Sequence, residues 1–178
     1  MSRSDEREEA FTLFAETASA SLLRAAYVLL GTREEAEDAV QLTLLRTLRR
    51  WDRAKNAPAA YSRAVLVNIC REHWRHGARH PEVTGLAADA GTLAVVTPFT
   101  DAVDRRRVLV GALRRLPVVQ REVLVCRYLL DATVAETAAA LSLPEGTVKS
   151  AASRGLGQLR GLLSADEKEA RRGHQRRG

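Results

Sequence analysis

Small, polar and basic side chains gather on one face of a helix predicted over residues 145–163. Aliphatic side chains recur on its opposite face at spacings of three and four. Small residues admit a helix to the major groove of DNA, arginine can bond two acceptors on guanine, and lysine suits a phosphate. The candidate DNA contacts on this face are Thr147, Lys149, Ser150, Ser153 and Arg154.

A short helix precedes this segment and is separated from it by a tight turn. Thr133 and Glu136 have the spacing of a capping box, which predicts the start of that helix. Pro144 follows Ser142 and Leu143 and interrupts the helical pattern. A helix, a turn and a basic second helix are typical of a DNA-reading helix-turn-helix, although an ordinary helical hairpin with a solvated basic face has the same pattern.

A second basic face lies upstream, on a helix predicted over residues 59–76. Asn68, Arg71 and Arg75 share this face, and Trp74 lies beside them. Such a combination can follow a phosphate backbone and stack on an unpaired base. A solvated arginine face on a surface helix fits the same residues. The pattern alone therefore does not distinguish nucleic-acid binding from simple solvent exposure.

The composition predicts an all-α protein with small aliphatic cores. The 178 residues are 46% hydrophobic but only 4% aromatic, proline is scarce, and no useful alternating strand pattern is present. The net charge of +6 suits a polyanionic partner. All but three of the 28 basic residues are arginine, which fits bidentate recognition of phosphate and guanine and equally fits a GC-rich genome.

The sequence predicts neither an enzyme nor a cofactor or metal site. It contains no Ser/His/Asp set, phosphate loop, paired carboxylates at a plausible site or clustered His/Cys spacing. Cys70 and Cys126 each lie in a helical apolar pattern, so we expect buried thiols in a reducing cytoplasm. The charged N-terminus lacks a signal core, and no apolar run approaches the roughly 18 residues of a membrane span. We therefore expect a cytoplasmic protein without membrane insertion.

Hydrophobic periodicity divides the chain into two helical modules, residues 1–79 and 104–163. The irregular segment 80–103 predicts a flexible linker, and the mixed charge of residues 164–178 predicts a basic disordered tail. The helices expected inside the two modules before the basic helix cover residues 8–30, 34–51, 59–76, 104–116, 118–130 and 133–141. Gly31-Thr32 is expected to end the first of these helices and cap the second, and residues 52–60 are expected to form a loop.

Two separated blocks of the sequence resemble extracytoplasmic-function (ECF) sigma factors of the sigma-70 family, in particular the actinobacterial SigE-like group. The first block comprises residues 22–51, which include the segment REEAEDAVQ, and residues 60–79. The second comprises residues 112–163, which include the helix-turn-helix. The resemblance implies a sigma region 2 bundle of three or four helices, a linker, and a sigma region 4 domain.

The resemblance also implies partners and roles. The helix containing AEDAVQ would be region 2.2 and would dock on the β′ clamp helices of core RNA polymerase, while the β flap would be a second contact. Regions 2.3 and 2.4 would melt and read the −10 promoter element, and region 4.2 would read the −35 element. The implied polymerase contacts are Asp38, Gln41, Arg46 and Arg49, and the implied −10 contacts are Lys55, Asn68, Arg71, Trp74 and Arg75.

Three departures from the family pattern keep alternatives open. Leu42 stands where an acid is usual, Ala151-Ala152 replaces a usual Arg-Leu pair, and Pro144 replaces a usual serine. The first change concerns the surface expected to bind polymerase, and the second concerns the helix expected to bind the −35 element. The alternatives are a stand-alone helix-turn-helix regulator and a degenerate sigma-like interaction protein. The resemblance further implies an anti-sigma factor as a partner, and we expect a helical inhibitor to wedge between the modules.

Overall fold

The computed structural model describes the backbone of residues 3–79 and 101–175, and the side chains of residues 5–76, 105 and 107–166. Within these backbone ranges the chain forms helices and turns and contains no strand, which confirms the all-α prediction. Most of the predicted linker lies outside the described residues, and its last three residues, 101–103, belong to a helix.

The first module contains four helices. They are α1 (Arg3–Leu30), α2 (Arg33–Arg49), α3 (Trp51–Ala54) and α4 (Pro58–Arg79).

Trp51 does not end α2 as predicted, because Arg50 leaves the helical conformation at φ −114° and ψ 20°. The tryptophan instead begins α3 and is buried, with its ring centroid 5.3 Å from that of Phe11 and 5.7 Å from that of Phe14. Burial of this large aromatic surface against α1 therefore decides where α2 ends. The connection between α3 and α4 therefore covers only residues 55–57, which is shorter than the predicted loop over residues 52–60.

The turn between α1 and α2 is closed by a glycine and a threonine, as the sequence predicts. Gly31 has a φ of 110°, and its N–H donates to the Tyr27 carbonyl at 3.0 Å. The Thr32 hydroxyl then accepts from the Glu35 N–H at 3.2 Å and caps α2. The conformation at residue 31 is one that residues with a Cβ rarely adopt.

The second module contains four α-helices and one π-helical segment. They are α5 (Asp101–Arg114), α6 (Val118–Leu124), the π-helical segment (Val125–Leu129), α7 (Val134–Leu141) and α8 (Glu145–Gln175).

Two parts of the second module differ from the prediction. The helix expected over residues 118–130 changes from α to π geometry at Val125. The helix expected to end at residue 163 continues to Gln175, so residues 164–175 are helical where we predicted disorder. Good helix formers fill that stretch, and Arg115 holds Asp166 at 3.0 Å. Residues 176–178 of the predicted tail lie outside the described part.

The helix-turn-helix forms as predicted. The Thr133 hydroxyl accepts from the Glu136 N–H at 3.1 Å, while the Glu136 carboxylate accepts from the Thr133 N–H at 2.7 Å. Ser142 ends α7 in the left-handed region at φ 54°. The Pro144 carbonyl accepts from the Thr147 N–H at 2.9 Å and thereby starts α8.

The two modules pack directly on each other and share their apolar cores. One cluster combines α1, α2 and α4 with Leu113, Leu116 and Leu124 of the second module. The other consists of second-module residues plus Val67 of α4. The sequence predicts a small core for each module but not this mutual burial.

Helix α1 is long and apolar enough, by length and composition alone, to include a candidate membrane span from Asp5 to Leu30. In the fold, the C-terminal half of this helix lies at the centre of the first cluster, where Leu22, Ala25 and Leu29 are buried. Packing against the other helices therefore accounts for the apolar character of this half of α1.

The Gly31 turn yields a test of stability. We expect Gly31→Ala to lower the free energy of unfolding by about 1–3 kcal/mol. A Cβ here would be strained by the φ of 110° and would collide with the Arg114 guanidinium. Urea unfolding monitored by circular dichroism measures the effect. Gly157→Ala is the control, because it lies inside α8 with open space around its Cβ, and we expect it to be neutral or stabilising. Equal stability of Gly31→Ala and wild type would contradict the argument.

Candidate nucleic-acid interface

The first part of α8 brings all five predicted −35 contacts onto one accessible face. Lys149, Ser150, Ser153 and Arg154 are exposed, and Thr147 is half-buried. The Arg154 guanidinium folds back along the helix, donating from Nε to the Ser150 carbonyl and from Nη2 to its hydroxyl, both at 3.3 Å. These bonds are local and exposed, so the guanidinium is available to a groove acceptor.

Position 151 lies on the opposite side of α8. Ala151 is buried in the same cluster as Val148, and Ala152 is half-buried against both clusters. Alanine, which stands here in place of the usual arginine, therefore packs in the core, and the exposed face of α8 is formed by other residues. Gly155 adds to this close packing, since a Cβ there would lie 3.2 Å from Leu124 Cδ1 of α6.

The predicted polymerase contacts lie on α2. Asp38, Gln41 and Arg49 are exposed, and Arg46 forms a 3.5 Å ion pair with Glu72 of α4. Leu42, which departs from the family pattern, is exposed. This face of α2 is open to a partner, and the leucine gives it an apolar element where an acid is usual.

The predicted −10 contacts divide into two groups. Lys55, at the end of α3, and Asn68 and Arg75, on α4, are exposed. Arg71 and Trp74 are partly buried against the second module. The structure therefore places four of the five on α4 but leaves only some of them accessible.

Arg71 holds a buried carboxylate of α6. Its Nε donates to Glu122 Oε1 at 2.6 Å and its Nη2 donates to Oε2 at 2.7 Å, while Nη1 donates to the Leu141 carbonyl at 3.0 Å. The Glu122 side chain is only 2% exposed. The hydrogen bonds to Glu122 raise the pKa of Arg71 above its ordinary value. A bidentate pair of this kind is among the strongest hydrogen-bonded contacts in proteins.

Arg63 makes a second ion pair between the modules, and it is not among the residues predicted to be functional. Its Nη2 donates to Glu136 Oε1 at 2.6 Å, and its Nη1 donates to the Leu130 carbonyl at 3.1 Å. The spacing of Arg63, Val67 and Arg71 would have revealed one helical face, but their partners lie in the other sequence block.

The second module also covers part of Trp74. The Arg121 guanidinium lies 5.9 Å from the centroid of the Trp74 ring, within the range of a cation–π contact. Burial, followed by the nearby charge of Arg114, lowers the pKa of Arg121 from its ordinary value. Stacking of a base on the face of the ring that Arg121 covers would require Arg121 to move.

The two cysteines are buried as predicted, and both are free thiols. Cys70 lies on α4 and Cys126 lies in the π-helical segment. Burial, with a further contribution from Glu122, raises the pKa of each thiol to about 12. Both thiols are therefore protonated and unreactive at neutral pH in the folded chain.

Comparison with protein families decides the relationship. Residues 15–80 match the family described as Sigma-70 region 2, and residues 106–159 match the family described as Sigma-70, region 4. The chain belongs to the sigma-70 family. The two matched segments coincide with the two helical modules, and region 4 includes the helix-turn-helix.

Curated sigma factors of actinobacteria match most of the chain. The RNA polymerase sigma-E factor of Streptomyces avermitilis is 35% identical over 163 residues, covering 90% of this chain and 89% of the relative. The sigma-E factor of Streptomyces coelicolor is 34% identical over 166 residues, covering 90% of each chain. The ECF RNA polymerase sigma factor SigM of Mycobacterium tuberculosis is 32% identical over 137 residues, covering 74% of this chain and 66% of the relative. These matches confirm the resemblance to SigE-like ECF sigma factors.

Two solved structures share the fold. The sigma factor RpoE of Bartonella quintana, solved with the anti-sigma factor NepR, has a TM-score of 0.67 and 25% identity, covering 86% of this chain and 98% of that one. CnrH, solved with the cytosolic domain of CnrY, has a TM-score of 0.66 and 22% identity, covering 89% of this chain and 90% of that one.

The Glu136 site of this sigma-70 protein predicts a dependence of stability on pH. The Thr133 N–H, with a smaller contribution from Arg63, lowers the pKa of Glu136 below its ordinary value. A lowered folded-state pKa stabilises the fold above the unfolded-state value, about 4.3, and this contribution disappears as pH falls through the folded-state pKa. We therefore expect Glu136→Gln to reduce the free energy of unfolding at neutral pH and to have progressively less effect in acid.

Urea unfolding across this pH range measures the difference. Glu16→Gln, an exposed substitution on α1, is the control and should behave like wild type throughout. A Glu136→Gln deficit that stays constant from neutral pH into acid would contradict the assignment.

Proposed function

We propose that this chain is an RNA polymerase sigma factor of the ECF type, which binds core RNA polymerase and directs promoter-specific transcription initiation. The observation that carries the proposal is the presence of region 2 and region 4 on one chain, each with a helix that carries exposed basic side chains. A promoter-binding subunit needs both, because it recognises two separated elements while bound to the polymerase.

The exposed face of α2 is the proposed polymerase contact. Asp38, Gln41, Arg46 and Arg49 would meet the β′ clamp helices, and region 4 would meet the β flap. Exposure of three of these side chains, and an exposed ion pair at the fourth, supports this role. Leu42 would replace a polar contact by an apolar one at the same surface.

The two basic helices are the proposed promoter contacts. On α8, Thr147, Lys149, Ser150, Ser153 and Arg154 would read the −35 element in the major groove. At the other module, Lys55 and the α4 residues Asn68, Arg71, Trp74 and Arg75 would melt and read the −10 element. Flipping a base out of the duplex costs a few kcal/mol, which stacking and contacts to the base edge can offset.

The proposal includes a cytoplasmic location, an anti-sigma factor as a further partner, and no reaction catalysed by the chain itself. Among the solved structures with this fold, RpoE was solved with the anti-sigma factor NepR and CnrH was solved with the cytosolic domain of CnrY. A helical inhibitor that wedges between the modules of this chain would have to displace the direct packing seen here.

The alternatives are less well supported. A stand-alone helix-turn-helix regulator has no use for region 2, which matches residues 15–80. A degenerate sigma-like interaction protein would not need an accessible recognition face, whereas four of the five candidate −35 contacts are exposed.

Run-off transcription tests the proposed function. The purified chain would be combined with core RNA polymerase and sheared genomic DNA from the source organism, and the 5′ ends of the transcripts would be sequenced. Discrete new starts that share two spaced motifs would support a sigma factor. Stable polymerase binding without starts would favour the degenerate interaction protein, and sequence-specific duplex binding without polymerase binding would favour the stand-alone regulator.

Arg154 gives a residue-level prediction. We expect Arg154→Ala to weaken recognition by about 1–3 kcal/mol at one −35 position, because a bidentate contact to a base is lost. Run-off transcription from promoters with single substitutions in the −35 element measures this loss position by position. Arg160→Ala is the matched control, since it removes the same charge from an exposed site farther along α8. An equal loss for both variants would mean that Arg154 contributes only charge.

A further inference from the structure

Three of the candidate −35 residues form a chain of hydrogen bonds along one side of α8. The Ser150 hydroxyl donates to the Thr147 carbonyl at 3.1 Å. The same hydroxyl accepts from Arg154 Nη2 at 3.3 Å, and the Ser150 carbonyl accepts from Arg154 Nε at 3.3 Å. The three residues follow one another at intervals of three and four, which places them on neighbouring turns of one helical face. Ser150 therefore connects the Arg154 guanidinium to the backbone at the start of α8.

The Ser150 hydroxyl has its one hydrogen committed inside the helix. A serine hydroxyl can donate once and accept twice. The Thr147 carbonyl can only accept and the Arg154 guanidinium can only donate, so the hydroxyl hydrogen points to the carbonyl and a lone pair receives the guanidinium. Phosphate oxygens and the N7 and O6 atoms of guanine need a donor. A direct contact from Ser150 to any of these atoms would require the hydroxyl to leave the Thr147 carbonyl.

Ser150 binds only one edge of the Arg154 guanidinium. Nε and Nη2 share one edge of this planar group, and Nη1 and Nη2 share the other. The two bonds to Ser150 use the first edge. The second edge has the pair of N–H groups that matches O6 and N7 of guanine, and the Arg154 side chain is exposed. The arrangement therefore fixes one edge of the guanidinium and leaves the other for a base.

The strength of these bonds suits orientation and not permanent capture. Both measure 3.3 Å and end on neutral oxygens, whereas the bonds from Arg71 to the Glu122 carboxylate measure 2.6 and 2.7 Å. An arginine side chain loses much rotational freedom when it is fixed in one conformation. Bonds to Ser150 remove part of that freedom before DNA binds, so less is lost when the guanidinium is ordered in the groove.

The core of the second module fixes the part of α8 that carries Ser150. Val148 is 0% exposed and Ala151 is 3% exposed, and both belong to the cluster that holds α8 against α7 and the π-helical segment. Ser150 lies between them in the sequence and is exposed. Groups on a packed helix are held more precisely than groups on a loop. The two oxygens of Ser150 therefore have a fixed position relative to the fold.

We propose that Ser150 is a positioning residue for Arg154, which it holds by one edge of the guanidinium so that the other edge reads a guanine of the −35 element. Its consequence for promoter recognition rests on the proposed sigma function, whereas the positioning of Arg154 in the free chain does not. Ser150 then contributes to base selection through Arg154 and not through a DNA contact of its own. Ser153, an exposed serine on the same face that takes no part in these three bonds, is the matched comparison.

Nuclear magnetic resonance of the free chain measures the positioning directly. The heteronuclear Overhauser effect at Arg154 Nε reports fast motion of the guanidinium, and the Arg154→Lys variant identifies its signal. We expect a more mobile Nε in Ser150→Ala, because one of the two bonds to Ser150 is lost, and an unchanged Nε in Ser153→Ala. Ser150→Thr should retain the wild-type value, since a threonine hydroxyl in a helix can also donate to the carbonyl three residues earlier.

A double-mutant cycle measures the consequence for promoter recognition. Run-off transcription with core polymerase uses a promoter found with the wild-type chain, together with versions in which each −35 base pair is replaced in turn. We expect Ser150→Ala to reduce discrimination about two- to tenfold at the base pair that Arg154→Ala affects, because one orienting hydrogen bond is lost. In the Arg154→Ala background, Ser150→Ala should cause no further loss. The effect of Ser153→Ala should instead add to that of Arg154→Ala.

Three outcomes would overturn the proposal. These are an unchanged Arg154 Nε signal in a folded Ser150→Ala chain, additive losses for Ser150→Ala and Arg154→Ala, or a loss for Ser150→Ala at a base pair that Arg154→Ala does not affect. Absence of any transcription start with the wild-type chain and polymerase would instead overturn the proposed sigma function. The Nε comparison would then still decide whether Ser150 positions Arg154.

Discussion

A carboxylate removed from water needs a cation beside it, and Glu122 meets that requirement through a residue of the other module. The partner, Arg71, lies across the module boundary and binds both carboxylate oxygens. This pairing ties the interior of region 4 to the surface of region 2, because α6 can bury Glu122 favourably only where α4 supplies the guanidinium. The relative placement of the modules follows from this condition together with the insertion of Val67 into the second cluster.

Such a pairing is not by itself a source of great stability. The desolvation of both charges opposes their attraction, so well-packed apolar residues can be equally favourable at a buried site. What a buried ion pair adds is a strict geometric requirement, since a misplaced partner leaves an uncompensated charge. The direct packing of apolar side chains, including Leu113 and Leu116 against the helices of region 2, supplies the non-directional part of the attraction.

Local signals in the sequence predicted the local structure well. The Thr133–Glu136 capping box and the turn at Ser142–Pro144 depend on neighbouring residues only, and both form as expected. Gly31 and Thr32 likewise end one helix and start the next. The face of α8 follows from helical periodicity, which is why its five candidate contacts were found together.

Local sequence patterns do not predict contacts between distant segments of the chain. Arg71 has the same spacing whether it meets DNA, water or Glu122, so periodicity indicates its face but not its partner. The end of α2 was misplaced because the burial of Trp51 against Phe11 and Phe14 overrides the helical pattern. The prediction ended α8 at residue 163, because composition alone does not reveal a contact such as that between Arg115 and Asp166.

The π-helical segment determines how the acceptors on either side of it are oriented toward α4. Its wider turn is closed by the Leu130 N–H, which donates to the Val125 carbonyl five residues earlier at 3.1 Å. The segment separates Glu122, which binds Arg71, from the Leu130 carbonyl, which binds Arg63. Each residue in a helix turns the chain by about 100°, so a single insertion or deletion here would swing one acceptor away from α4 while the other stayed in place. The number of residues in this stretch is therefore dictated by a helix in the other module, and length variation is better accommodated elsewhere in the chain.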